Sequence, residues 1–314
     1  MTFELTEPIL LIGLGGVGSR LADKAKKSLN SDCLLISHDQ KDLTSENSIK
    51  ISTKSVINPS THLIRGSTLE VSDDIKKNMG KYSTVILMSN LAGKAGAGIG
   101  PIVSKICKQE QKNLLSFAIM PFKFEKERIF QSGIALKRIR QDSQCTIVID
   151  NDALLDSNPE LTPEKCYEIT NKAIHCLTTS LKSSSLTDDM NIMSTSKNVE
   201  DLETSLKDSM RMLYEDAAPS SIKRSMLYVY GGSKIPVGVI NSISNIVGGI
   251  FEEDNTQVDM SSSENTNVVM LSAIQGETRF DKYDPLGMIS HDKTIDWDEP
   301  ECSIECGLDI PQIE

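Results

Sequence analysis

Gly13-Leu14-Gly15-Gly16-Val17-Gly18-Ser19 decides how this chain is read, together with a second glycine stretch, Ala92-Gly93-Lys94-Ala95-Gly96-Ala97-Gly98-Ile99-Gly100. The first lies between the apolar run Pro8-Ile9-Leu10-Leu11-Ile12 and residues 19–29, where Leu21, Ala22, Ala25 and Leu29 recur near helical spacing with lysines opposite. Strand, glycine turn and helix in that order frame a phosphate site. Glycine lets the backbone approach an anion closely, and the N–H groups of the helix start supply donors. Alone, such a turn reads equally well as a tight connection that binds nothing. Gly13, Gly15 and Gly18 also fit a dinucleotide fingerprint. The second stretch follows Thr84-Val85-Ile86-Leu87-Met88 and precedes a predicted helix over 100–112. Two such turns in one sheet are hard to explain as connections only, and a plain dinucleotide-binding domain has one.

Working outward, Cys33–Ile36, Leu114–Ile119 and Thr146–Ile149 read as further strands, with a helix near 127–140. Strands separated by helices imply an α/β protein with a doubly wound parallel sheet, whose ligands sit at the carboxyl ends of the strands. The second strand ends in Ser37-His38-Asp39-Gln40, where Asp39 reads either as a ribose contact or, more commonly, as a helix N-cap. Residues 163–181 form one long predicted helix, with Tyr167, Ile174, Leu177 and Leu181 at helical spacing. The Ser/Thr/Asp/Asn-rich stretch 182–198 interrupts it. A smaller α+β module follows: a helix over 199–214, strand 225–230, Gly231-Gly232, a helix over 237–251 and strand 268–274. The expected organisation is a nucleotide-binding domain over 1–162, a connecting helix over 163–183, an α+β domain over 184–280 and a tail over 281–314.

Composition narrows the function. The 314 residues are 39% hydrophobic and 25% charged, with a formal net charge of −11. Ten acids against two bases over 281–314 put −8 on the tail and leave −3 on residues 1–280. That balance argues against a protein that coats nucleic acid, which relies on neutralised phosphates. No apolar run approaches the roughly 18–20 residues of a membrane span, and the N-terminus lacks a signal-peptide pattern. The seven cysteines are scattered, and Cys302 and Cys306 have no His or second Cys pair beside them at zinc spacing. Reduced thiols in a cytoplasmic protein are the expectation.

Six segments in order resemble the FtsZ/tubulin superfamily, particularly its archaeal members, over roughly residues 8–280 with the tail beyond. GLGGVGS at 13–19 is similar to that family's first glycine loop, and AGKAGAG at 92–98 stands in the place of its GGGTGTG signature, closed by Gly100-Pro101. Met120-Pro121-Phe122-Lys123-Phe124-Glu125 resembles K-P-F-x-F-E, and residues 147–155, Ile-Val-Ile-Asp-Asn-Asp-Ala-Leu-Leu, resemble I-x-I-x-N-D-x-L-L. Tyr167-Glu168-Ile169-Thr170-Asn171 matches the start of the family's central helix, and Gly307-Leu308-Asp309-Ile310-Pro311 its C-terminal anchor peptide. The resemblance implies GTP or GDP as ligand, with magnesium, in a cell-division or cytoskeletal protein that forms homo-oligomers or filaments and docks partners through its tail. It places phosphates on Gly15, Gly16, Val17, Gly18 and Arg20 and on Gly93, Lys94, Ala95, Gly96, Ala97 and Gly98. Glu125 and Asn151 would meet the ribose, with Arg128 beside them. Tyr167 offers a ring face to guanine and Asn171 an amide to the base edge; at i and i+4 the two share a helix face.

The departures concern catalysis. Ala95 and Ala97 replace both signature threonines, Lys94 replaces a glycine, and Arg20 stands where the family favours Asn. Lys94 reads either as a point charge on a phosphate or as a solvated side chain. Residues 60–80 look too short for the family's further phosphate-facing loop. The family's N-x-D-x-x-D loop, which orients the attacking water in a neighbour's site, aligns with Asn191–Ser196, which has no carboxylate at either place. A shifted alignment offers Glu200 and Glu203, which read better as a solvated helix face. Slow or absent hydrolysis is therefore expected. Two alternatives remain at this level: a scaffold with an empty pocket, and an adenylyltransferase of the ubiquitin-activating type, suggested by GLGGVGS and a strand ending in Asp. The latter needs an Arg and Lys for ATP and a catalytic Cys, a set with no evident place here.

Overall fold

The computed structural model describes residues 2–54, 57–183, 186–197, 202–230, 256–261 and 267–283. Its N-terminal half runs β1 (Thr2–Phe3), β2 (Ile9–Leu14), α1 (Gly15–Leu29), β3 (Asp32–Ser37), β4 (Ser48–Lys50), α2 (Thr61–Glu70), α3 (Ser72–Met79), β5 (Thr84–Asn90), α4 (Lys94–Gln109), β6 (Asn113–Met120), α5 (Lys126–Asp142) and β7 (Cys145–Asp150). The rest comprises α6 (Asn151–Ser157), α7 (Pro163–Ser180), β8 (Leu186–Thr187), β9 (Asp189–Thr195), α8 (Leu202–Asp216), β10 (Ile222–Tyr230), β11 (Thr256–Ser261) and β12 (Asn267–Ile274).

Among the described residues the main sheet has ten strands in the order β11-β10-β12-β9-β7-β6-β5-β2-β3-β4, parallel from β9 to β4. Strand β2 explains why both faces are covered. Ile9 and Leu11 point into a core shared with α1 and α7, whereas Leu10, Ile12 and Leu14 point into one shared with α3 and α4. A strand apolar at every position must bury both sides, and helices on both faces do this. A third cluster joins α5 and α8 to β6, β9, β10 and β12. The strands of the later α+β module thus extend the same sheet.

Helix α7 starts where its sequence dictates. Thr162 Oγ1 accepts from Lys165 N at 3.3 Å, and Pro163 fills the first position, where its missing N–H costs nothing. Helix α1 ends on Asn30 in the left-handed conformation (φ 44°), whose N–H returns to Lys26 and Lys27 carbonyls.

Two expectations need correcting. The glycine stretches are not open loops before the helices: α1 begins at Gly15 rather than Ser19, and α4 at Lys94 rather than near Gly100. Pro101 consequently lies inside α4. Residues 182–198 are not an irregular interruption. Strand β9 runs between β7 and β12, and β8 pairs antiparallel with β1 at Phe3–Leu186. Residues 60–80 fold as α2 and α3. The helix expected over 237–251, Glu200 and tail residues 284–314 with the GLDIP peptide lie outside the described residues. Cys33, Cys107 and Cys166 are buried, and burial pushes the thiols of Cys33 and Cys166 up to about 11 and that of Cys107 to about 12. No helix among the described residues is long and apolar enough to cross a membrane.

Candidate functional site

The first N–H groups of a helix need acceptors from outside it. Side chains of Ser60, Asp150 and Thr162 cap α2, α6 and α7, and α3 and α5 carry acids in their first turns. Only α1 and α4, among the α-helices whose starts are described, have neither: their N-caps are Leu14 and Gly93, and no acid lies in either first turn. Each start carries about half a positive charge. The two converge, because a Cβ on Gly15 would lie 2.9 Å from Cβ of Ala95, and Gly15 has a φ of 62° that favours glycine.

The other glycines of these stretches serve the helix–strand contact itself. A Cβ on Gly18 would meet Met88 O at 2.2 Å, and one on Gly96 would meet Asn90 O at 2.1 Å. Val17 is half-buried against the core of α7, and Arg20 is exposed. Ala95, Ala97 and Gly98 are buried, and Ala97 O accepts from Arg65 Nη2 at 3.2 Å. Lys94 leaves the cradle: its Nζ donates to Asn58 Oδ1 at 2.6 Å.

Burial, then the charge of Glu125, pushes the phenol of Tyr167 above the ordinary range, so it stays neutral. Its hydroxyl lies close enough to the Asn90 side chain for that amide to favour the ionised form slightly. The ring meets Phe122 edge-on at 5.3 Å between centroids. Asn90 Oδ1 accepts from Ala92 N at 3.0 Å, which fixes the start of the second glycine stretch. Glu125 accepts from Phe122 N at 3.1 Å and pairs with Arg128 Nη1 at 2.5 Å. Asn151 Oδ1 accepts from Thr170 Oγ1 at 2.6 Å. Asn151 Nδ2 and Asn171 Oδ1 are buried atoms without a hydrogen-bond partner. One such donor and one such acceptor on neighbouring elements suit a ligand edge that both accepts and donates.

Beside Asn151 stands a second polar cluster. Arg279, in the 3-10 turn Arg279–Tyr283, binds Asp150, reaches Asp152 at 3.1 Å and Asp156 at 3.2 Å, and lies 3.2 Å from Asp216. Lys123 pairs with Asp152 at 3.2 Å and also with Asp156. Burial, and for Asp216 the neighbouring charge of Asp150, pushes the carboxyls of Asp150 and Asp216 up.

The stretches aligned with the family's water-orienting loop lie in β9 and α8. Asn191, Ser194, Thr195 and Ser196 are buried, Asn191–Thr195 lying in β9, where Asn191 Nδ2 donates to Thr187 O and Thr195 Oγ1 to Val268 O. Glu203, on α8, pairs with Lys207 at 2.7 Å with its side chain half exposed. Asp39 caps the 3-10 turn Gln40–Asp42 through a bond from Lys41 N. Sequence reasoning missed Asn90, Thr170 and Asp42. Asn90 had a local signal, a short amide at the end of a strand two residues before a turn. Thr170 had none, because its partner is 19 residues away.

Uncapped helix starts at the carboxyl ends of parallel strands define a class, that of α/β proteins with an anion cradle between two strand–helix junctions. Residues 8–159 match the family model described as Tubulin/FtsZ family, GTPase domain. Cell division protein FtsZ 2 of Halobacterium salinarum is 26% identical over 184 residues, 54% of this chain and 46% of its own length. Among solved structures, an FtsZ dimer from M. jannaschii is similar with a TM-score of 0.67 at 16% identity, covering 85% of this chain and 88% of that one. CetZ from Methanosaeta thermophila gives 0.64 at 14% identity, covering 89% and 90%. The chain belongs to the FtsZ/tubulin superfamily as a divergent FtsZ-like member. Its matched stretch spans less than half the length of the Halobacterium relative.

Proposed function

We propose that the chain is a cytoskeletal, FtsZ-like protein of the cytoplasm that binds GTP or GDP at the α1–α4 junction, self-associates, and hydrolyses GTP slowly or not at all. The observation that carries the nucleotide reading is the pair of uncapped helix starts meeting at Gly15 and Ala95, with unpaired amide atoms of Asn151 and Asn171 nearby. The phosphates would take the N–H groups at Gly15–Gly18 and Gly93–Gly98. Asn151 and Glu125 would hold the ribose, and Tyr167 and Asn171 the base. Lys94, already bonded to Asn58, and Arg128, paired with Glu125, contribute less.

The weak-hydrolysis reading is supported by the segment after α7. The chain passes from Ser180 to β9 through β8, which is stitched to β1, and Lys182 pairs with Glu7 at 2.7 Å. The connection from α7 to β9 is thus bound to this chain's own N-terminal residues, and most of the aligned stretch Asn191–Ser196 is held in β9 between β7 and β12. Self-association rests on the family, and the near-neutral charge of residues 1–280 suits stacking of copies. The −8 tail with GLDIP would serve as an exposed tether for partner proteins.

Titration calorimetry with GDP and GTP, with and without magnesium, tests the binding. Saturable binding is expected, and no heat under any condition refutes it. Phosphate release at the family's usual fast turnover would refute the weak-hydrolysis part, and sedimentation with GTP tests assembly.

A further inference from the structure

The connection after β3 brings a carboxylate against the first glycine stretch. The 3-10 turn Gln40–Asp42, capped by Asp39, carries Asp42 back over the start of α1. Asp42 Oδ2 accepts from Ser37 Oγ at 2.6 Å, which holds the carboxylate in one orientation. Its Oδ1 then faces the helix start, since a Cβ on Gly16 would lie only 2.7 Å away. Oδ2 is 4.0 Å from the corresponding point on Gly15, and Arg20 Nη1 is 3.8 Å from that on Gly16. Helix α1 has no acid of its own in its first turn, so Asp42 supplies the negative charge that the positive helix end favours.

We infer that Asp42 is an affinity-setting residue, a resident carboxylate that competes with nucleotide phosphates for the start of α1. The inference rests on the nucleotide reading above and concerns the same site. A fixed charge in contact with Gly16 repels an incoming phosphate, and in this partly shielded position the repulsion exceeds its value in bulk water. A nucleoside, which carries no phosphate, escapes the penalty. Salt weakens it, because part of the interaction crosses solvent.

The test is calorimetry on the full chain and on Asp42→Asn, titrated with GDP and with guanosine at low and high salt. The amide keeps an oxygen for the Ser37 bond and removes the charge. Asp42→Asn should bind GDP about tenfold tighter or more at low salt, with a smaller gain at high salt. Guanosine affinity should be unchanged. Asp42→Glu, which keeps the charge, should bind GDP within about twofold of the parent and serves as the control for local rearrangement. Equal GDP affinity in parent and Asp42→Asn overturns the inference and leaves the nucleotide reading intact. Weaker binding in Asp42→Asn also overturns it, because the carboxylate would then be aiding the ligand. The same holds for an equal gain with guanosine or with Asp42→Glu. If no variant binds GDP or guanosine, the nucleotide reading falls and takes the inference with it. Binding of GDP by Asp42→Asn alone supports both.

Discussion

At the ends of β2 and β5, α1 and α4 begin without caps, and Asn151 and Asn171 each keep a buried amide atom unpaired. One residue to either side of Asn151, Asp150 and Asp152 are both bound by Arg279, which also contacts Asp156 and Asp216. The two clusters share the β7–α6 junction and differ in charge: the first is built on neutral amides, the second on ion pairs. The first leaves donors and acceptors open. The second is held by ion pairs of Arg279 that tie residues 279–283 to α6 and the end of α8, and Asp216 Oδ1 and Oδ2, Arg279 Nε and Tyr283 OH are likewise buried without a hydrogen-bond partner. A buried group without a hydrogen bond is costly; in the second cluster the ion pairs of Arg279 offset that cost, so the contrast is between a charge-paired lock and two neutral amides left open.

The largest effect should come from breaking the lock. Arg279→Met strands the buried carboxylates of Asp150 and Asp216, and denaturant unfolding should register a loss of about 3–5 kcal/mol. The same cluster should set a pH dependence. Because Asp150 and Asp216 are pushed up on folding, the native chain holds more protons than the unfolded one above the ordinary carboxyl pKa of 3.8. Their contribution to stability is fullest below that value and declines as pH rises through the raised native values. Denaturation midpoints at about pH 5 and about pH 8 should differ in that direction, and Asp216→Asn should flatten the difference. On the open side, Gly96→Ala forces a methyl against Asn90 O and should cost about 1–3 kcal/mol in the same unfolding measurement. Asn171→Ala removes an acceptor that has no partner, so stability should barely move. GDP affinity should nonetheless fall by roughly tenfold, as for one lost hydrogen bond. Smallest of all, Lys94→Ala loses only an exposed contact with Asn58, and stability should stay within about 0.5 kcal/mol.

The parallel sheet was legible because its strands are short apolar runs separated by helical periodicity. Ile9–Leu14 and Thr84–Asn90 need no distant partner to be recognised. The start of α4 was not legible, since AGKAGAG has the composition of a loop. It is helical from Lys94 because glycine lets the helix press directly onto β5 at Asn90. Strand β9 was hidden for a related reason. Asn191 and Thr195 look like linker residues, yet they sit between β7 and β12, where backbone ladders and bonds such as those from Asn191 to Thr187 O and from Thr195 to Val268 O satisfy them.

The sequence by itself determined the frame: a doubly wound sheet, two glycine stretches at strand–helix junctions, and the local caps that start α2 and α7. Those depend on nearest neighbours and on the periods of 2.0 and 3.6 residues. Only the tertiary structure decided which polar groups stay open. Whether Asn151 Nδ2 is paired, whether Asp42 faces Gly16, and whether Arg279 consumes the acids beside the site all depend on groups brought together from distant segments. Satisfaction of a buried polar atom is a property of its surroundings in space, and composition and spacing do not record it.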